Sequence, residues 1–186
     1  MGHSNQGSAL HGCECNRGTG CGKTARPGLH GGRRITGVPT VAVFRQMSQK
    51  TIVFISCVSQ KLGSPAPARE LYISSLFRKS LKYAESLSPD AIYILSAKHG
   101  LLSLEEVVKP YDLTLNQLSM HEVKRWAEST VEQLKQVANL ASDRFIFLAG
   151  ERYRRFIVPH VVYSEIPLQG LSIGKQLQFL KAAINE

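Results

Sequence analysis

The stretch that decides the fold is Ile92–Leu102, with the sequence IYILSAKHGLL. Its four leading apolar residues predict a buried strand. The strand gives way at once to a hydroxyl, an amine and an imidazole, on Ser96, Lys98 and His99. Gly100 then allows a tight turn. Because ligands bind at the carboxyl ends of strands in open α/β sheets, we expect a functional site here.

The segments on either side alternate between strand and helix patterns. Short apolar runs predict further strands, and apolar residues at helical spacing predict helices between them. We expect strands at Thr51–Ser56, 91–95, Phe145–Ala149 and Val161–Tyr163, and helices over 68–87, 120–138, 151–157 and 173–184, with residues 103–118 irregular. This order predicts an α/β fold, a three-layer domain with a small, mainly parallel sheet (Rossmann-like) flanked by helices.

Composition divides the chain at about residue 47. Residues 1–46 are rich in Gly, Arg, His and Cys, and they hold six of the 23 Lys and Arg residues but one of the 14 Asp and Glu residues. We expect 47–186 to form a single α/β domain and 1–46 to be a disordered extension or sequence upstream of the true start. The pI of 9.6 would favour a nucleic-acid partner. Much of the positive charge lies outside the expected domain, which weakens that inference.

Several classes of protein are excluded or disfavoured. An apolar run of about 18 residues is lacking, which argues against a membrane span, and no apolar segment of a secretory signal is found near the start. Cys13, Cys15 and Cys21 lack the paired Cys-x₂-Cys spacing of zinc modules, and Arg17 breaks the pattern of a phosphate-binding loop. We therefore expect no metal and no cofactor. A lone cysteine in the domain, Cys57, suits a reducing cytoplasm.

Polar groups follow each predicted strand, and in a parallel sheet they gather at one edge. Lys61 and Lys98 would suit a phosphate or carboxylate there, although loop lysines are often merely solvated. Ser59 and Ser96 could bind the same anion, and Ser59 could equally cap a turn. Cys57 is a candidate ligand contact or nucleophile if its pKa is lowered, or else a small core residue.

Candidate catalytic groups are an imidazole and two carboxylates. His99 could act as a general acid or base, since its reference pKa lies near neutrality. Asp112 follows a rigid proline, and Glu151 follows the strand-ending Gly150. Either carboxylate could face a sugar, or it could serve a turn or a helix start. Tyr111 and Tyr153 offer ring faces for stacking on a base.

Six motifs together resemble a bacterial and phage family of small proteins of unknown function, over about Ile52 to Leu180. They are C-x-S-x-K, A-R-x-L-Y, L-S-A-K-H-G-L-L, P-Y-D-x-T-L, L-A-G-x-x-Y and P-L-x-G-x-x-I-G-x-Q, in that order. The S-A-K-H-G-L-L and P-Y-D motifs also resemble the YaaA peroxide-stress family, whose members bind DNA, although that family's helix-hairpin-helix element has no counterpart here. The sheet and its strand-end groups are more distantly similar to nucleoside 2-deoxyribosyltransferase and N-glycosidase folds, in which an acidic residue acts at the anomeric carbon.

Two functional hypotheses follow. In the first, the protein is an enzyme directed at a nucleotide, nucleoside or nucleic-acid base that breaks or exchanges an N-glycosidic bond. In the second, it is a non-catalytic DNA-binding or oxidative-stress-response protein of YaaA-like type. Both imply a nucleotide or nucleic-acid partner and no membrane. A scaffold whose strand-end groups merely cap helices is a third possibility, and the oligomeric state is left open.

Overall fold

The computed structural model describes residues 49–185, so the predictions for residues 1–46 lie outside the described part of the chain. The strands in this part are β1 (Thr51–Ser56), β2 (Ala66–Pro67), β3 (Ala91–Ser96), β4 (Gly100–Ser103), β5 (Val107–Val108), β6 (Arg144–Leu148) and β7 (Tyr163–Glu165). The α-helices are α1 (Ala68–Leu71), α2 (Ser75–Ser86), α3 (Met120–Val137), α4 (Glu151–Arg154) and α5 (Ile173–Ala183), with 3₁₀ turns at Leu115–Gln117 and Val158–His160.

Five strands form one sheet in the order β4-β3-β1-β6-β7. All neighbours are parallel except β3 and β4, which are antiparallel. The predicted three-layer α/β fold with a mainly parallel sheet is therefore confirmed. The central strand β1 is apolar along its length because both of its faces are covered. Its Phe54 is fully buried, and the Phe147 ring lies 4.9 Å from it on the neighbouring strand.

The chain leaves β1 first toward β3 and later returns to β6 on the other side of β1. Since crossover connections are right-handed, these two excursions put their helices on opposite faces of the sheet. Helices α2 and α5 pack against each other, while α3 packs against β4 and α4. The carboxyl end of β1 is consequently the point at which the connections diverge, where ligands bind in sheets of this kind.

The helix predicted over 68–87 is wrong in one respect, because it is two helices. Tyr72 has an extended backbone between α1 and α2, and it pairs with Lys61 in an isolated antiparallel bridge. The amide N–H of Leu62 donates to the carbonyl of Leu71 at 2.9 Å beside this bridge. Ser74 then caps α2 by accepting from the Phe77 amide. Tertiary pairing has overridden the helical periodicity.

The antiparallel hairpin of β3 and β4 was not predicted from sequence. Gly100 begins β4 at a φ of +75°, a conformation that favours glycine. Gln133 on α3 accepts from the Leu101 amide at 2.7 Å and donates to the His99 carbonyl at 3.2 Å. A Cβ at position 100 would overlap the Gln133 side-chain oxygen. The turn that carries the predicted site is therefore held by the helix that follows it.

The remaining boundaries are close to those predicted, with three corrections. The fourth strand begins at Tyr163 rather than 161, because the Val161 amide donates back to Val158 in the preceding 3₁₀ turn and the Val162 amide donates to the Leu140 carbonyl. The helix expected over 151–157 ends at Arg154. Residues 103–118 are not wholly irregular, since β5 pairs with β2 and Leu115–Gln117 forms a 3₁₀ turn. Ser119 and Glu122 form a capping box at the start of α3. In the described range, the helices are all too short or too polar to cross a bilayer.

Candidate functional site

Three hydroxyl groups form a connected chain at the carboxyl end of β3. Tyr111 Oη lies 2.7 Å from Ser96 Oγ and 2.7 Å from Tyr72 Oη. Ser96 Oγ also accepts from the backbone amides of Lys98 and His99, at 3.3 and 3.1 Å. With both of its lone pairs occupied, the Ser96 hydroxyl donates its proton to Tyr111, and Tyr111 then donates to Tyr72. The chain therefore ends on Tyr72, whose own O–H is left to donate elsewhere.

The environment of these hydroxyls keeps them protonated. Burial raises the pKa of Tyr72 to about 12, and the hydrogen bond from Tyr111 only partly offsets it. The pKa of Tyr111 is also well above its ordinary value, again chiefly because of burial. Both phenols are thus neutral donors at any physiological pH.

Lys61 lies against this chain of hydroxyls. Its Nζ is 4.3 Å from the centre of the Tyr111 ring and 5.8 Å from that of Tyr72. The nitrogen itself is buried and has no hydrogen-bond partner, although the rest of the side chain is partly exposed. Burial lowers the pKa of Lys61, and the nearby Cys57 and Asp112 oppose that shift. An amine in this position is available for an anion or an electrophile. Together with Cys57, Tyr72, Ser96 and Tyr111, Lys61 makes up what we call the strand-end cluster.

Lys98 and His99 approach the same Tyr111 ring from the turn after β3. Lys98 is exposed, with its Nζ 5.7 Å from the ring centre. The His99 imidazole meets the ring edge-on at 5.4 Å, and its Nε2 is buried without a partner. Burial lowers the pKa of His99, and the charge of Lys98 lowers it further. The imidazole is therefore neutral near pH 7.

Cys57 connects the strand-end cluster to Tyr153 on α4. Its Sγ lies 3.1 Å from Tyr153 Oη, which also accepts from the Leu115 amide at 3.4 Å. Burial, reinforced by the neighbouring thiol, raises the pKa of Tyr153. Arg152 donates to the Leu115 and Leu118 carbonyls. These contacts fix the 3₁₀ turn that follows the loop carrying Tyr111 and Asp112.

The structure brings most of the predicted residues together. Five of them contact the Tyr111 side chain or belong to it, namely Lys61, Ser96, Lys98, His99 and Tyr111. Two more, Cys57 and Tyr153, contact each other beside it. Asp112 is exposed but close enough to influence Lys61. Ser59 is exposed on the loop after β1 and is not among these contacts.

Gly150 and Glu151 lie elsewhere. Glu151 lines a separate groove between α3 and α4, beside Arg155 and Phe156. Gly150 borders a crevice at the carboxyl ends of β1 and β6, with a volume of about 280 Å³. The crevice is largely apolar, and Asn116 and Gln176 contribute polar groups to its lining.

Two residues of the site were missed from sequence. Tyr72 appeared to be one position in an amphipathic helix, and only the break after α1 turns it toward Ser96. Trp126 lies on α3 and donates from its indole nitrogen to the Ser96 carbonyl at 2.8 Å, with its ring edge-on to Tyr153 at 5.8 Å. Its status as the chain's single tryptophan is the one signal the sequence offered. Among residues 49–185, no three His, Cys, Asp or Glu side chains are grouped so as to hold a metal ion.

Fold and site together define an α/β protein with a mainly parallel sheet and a cluster of lysines and hydroxyls at the sheet's carboxyl edge. The chain belongs to a family of unknown function (DUF6884), whose family model matches residues 52–182. The family of unknown function expected from the six motifs is in this respect confirmed. No curated protein and no solved structure matches the chain.

Proposed function

We propose that this protein is an enzyme that acts on a nucleotide, nucleoside or nucleic-acid base and that it breaks or exchanges an N-glycosidic bond. The observation that carries the proposal is the buried, unpartnered nitrogen of Lys61 at the carboxyl end of the central strands. A buried polar group without a partner is costly in a folded protein, and a ligand that supplies the partner removes that cost.

The surroundings of this nitrogen suit a phosphorylated sugar. Lys98 places a cation at the Tyr111 ring, on the solvent-exposed side of the site. An ammonium group and a buried amine around one aromatic ring favour an anion with an attached planar or sugar group over a simple apolar ligand. The crevice beside Gly150 offers apolar walls and two side-chain amides, a lining suited to a base.

The positions of the two candidate carboxylates and of His99 decide between the catalytic roles proposed from sequence. Asp112 is the carboxylate near Lys61, whereas Glu151 faces a different groove. We therefore assign to Asp112 the task of stabilising or attacking the anomeric carbon. His99 is neutral near pH 7, a state in which it accepts a proton and so serves as a general base.

The test is base release measured by chromatography, with a panel of nucleosides, nucleotides and damaged single- and double-stranded DNA. Asp112→Asn is expected to slow release by about 10²-fold or more, the usual effect of losing a positioned catalytic group. Glu151→Gln is the matched control and should leave the rate unchanged. Equal rates for wild type and Asp112→Asn would contradict the assignment of Asp112. Absence of base release across the whole panel, from protein that still binds nucleotide, would reject the enzymatic proposal.

That last outcome would favour the second candidate, a DNA-binding stress-response protein. Its support is the exposed ammonium of Lys98 within the motif that resembles the YaaA family. In this case DNA affinity falls steeply with salt, and Lys98→Ala reduces both the affinity and the salt slope. Asp112→Asn would not weaken binding. With either function we infer a bacterial or phage origin and a cytoplasmic location.

A further inference from the structure

The amine of Lys61 has the surroundings of a nucleophile rather than of a simple charge. An ammonium ion needs acceptors for its three hydrogens, yet Lys61 Nζ has none and lies over an aromatic ring. Burial lowers its pKa, and the two groups that oppose the shift, Cys57 and Asp112, do not donate or accept a hydrogen bond with it. Lysine is the residue that enzymes use as an amine nucleophile, and desolvation is a common way of activating it.

A hydrogen-bond donor lies beside this amine. The proton order along the hydroxyl chain leaves Tyr72 with an O–H free to donate, and the centre of the Tyr72 ring is 5.8 Å from Lys61 Nζ. Because the pKa of Tyr72 is raised to about 12, this phenol stays protonated while it polarises a carbonyl oxygen. An amine with a neutral donor next to it is the pairing that addition to an aldehyde requires.

The backbone holds the lysine where the reaction would take place. Lys61 is bridged to Tyr72, and the Ile73 amide donates to the Gln60 carbonyl at 3.2 Å on the other side of the bridge. The main chain is thereby fixed, and the side chain of Lys61 is partly exposed, so that an incoming carbonyl can reach it.

We infer that Lys61 forms a Schiff base with the aldehyde carbon of a phosphorylated sugar. This inference rests on the proposed function, since loss of a base leaves an anomeric carbon that opens to an aldehyde. The nitrogen lone pair bonds to that carbon while the carbonyl electron pair moves to oxygen. One amine hydrogen passes to the oxygen, and the hydroxyl then leaves as water with the second amine hydrogen. Lys98 binds the phosphate.

The experiment uses the full chain, 2-deoxyribose 5-phosphate as the probe, and cyanoborohydride to reduce any imine to a stable amine. Peptide mass mapping then shows which lysines carry the sugar. We expect Lys61 to be labelled at least several-fold more than any exposed lysine, at a pH where ordinary lysines are protonated. Lys61→Met should lose this adduct, and Lys50→Met is the matched control that keeps it. Labelling that follows exposure, with Lys61 no more labelled than Lys98 or Lys109, would overturn the inference.

The wild-type map decides the matter even if Lys61→Met folds poorly, because it compares lysines within one intact protein. Its result is also separable from that of the base-release assay. Base release without labelling of Lys61 would refute the Schiff base and leave the N-glycosidic function standing. Labelling of Lys61 without base release would retain the nucleophile and reject the proposed function, pointing to a sugar aldehyde supplied by another reaction.

Discussion

Replacing Gly100 with alanine tests whether α3 holds the turn that carries Ser96, Lys98 and His99. Gly100 has a φ of +75°, and an L-residue in the left-handed region costs about 1–2 kcal/mol. The new methyl group would also displace the Gln133 side chain, which makes two hydrogen bonds to the turn. Each such bond contributes about 0.5–1.5 kcal/mol, with the lower end appropriate near the surface. The free energy of unfolding should therefore fall by about 2–3 kcal/mol.

Urea denaturation followed by circular dichroism measures this change, and a thermal melt should show a Tm lower by about 6–15 °C for a domain of this size. Gly63→Ala is the matched control, since nothing lies within 4 Å of the added methyl group and φ is not in the left-handed region. Its effect should stay within about 0.5 kcal/mol.

A double-mutant cycle separates the two contributions. In a Gln133→Ala background the displaced side chain is already absent, so Gly100→Ala should cost only the backbone contribution of about 1–2 kcal/mol. An equal cost in both backgrounds would remove Gln133 from the explanation. A Gly100→Ala protein as stable as wild type would refute the reasoning altogether.

Three further predictions concern the same region. Trp126→Phe leaves the Ser96 carbonyl without its indole donor and should lower the free energy of unfolding in urea by about 1–3 kcal/mol, whereas an unchanged midpoint would mean that water replaces the indole. Because the pKa of Tyr72 is higher in the folded protein than its ordinary value of 10.0, its contribution to stability is fully present below pH 10 and is lost as pH rises to about 12. The stability of Tyr72→Phe should decline less steeply over that interval, and identical slopes would contradict the raised pKa. For His99, whose pKa is lowered, the stabilising effect is present above the ordinary value of 6.5 and is lost as pH falls below it. An NMR titration should place the His99 midpoint below 6.5, and Lys98→Met should move it upward without restoring 6.5, since burial is the larger cause.

The sequence was sufficient for the elements whose periodicity is local. The continuous apolar runs of β1, β3 and β6 and the helical spacing of α3 depend on neighbouring residues alone, and the structure has these elements close to where they were expected. A parallel sheet then brings their carboxyl ends to one edge, so the meeting of Lys61, Ser96 and Tyr111 was largely foreseeable.

Features that depend on distant partners were not foreseeable. The helix breaks at Tyr72 because this residue pairs with Lys61, eleven positions earlier in the sequence, and no local pattern predicts that pairing. The antiparallel β4 depends on a side chain from α3, and the separation of Glu151 from Asp112 depends on how α4 packs. The hydroxyl chain needed the first of these arrangements, which is why its terminal member, Tyr72, was not predicted as a site residue.

The central position of β1 has a consequence for how the chain is made. One edge of β1 pairs with β3, which follows about forty residues later in the chain. The other edge pairs with β6, where Ile52 is the partner of Phe145. Until the chain has been synthesised past residue 148, β1 presents an apolar strand with an open hydrogen-bonding edge, the kind of surface on which strands from other molecules add. Nascent or truncated chains that end before β6 should therefore depend on a chaperone or self-associate. In the finished domain the same apolar strand lies in the middle of the sheet, with both of its hydrogen-bonding edges paired.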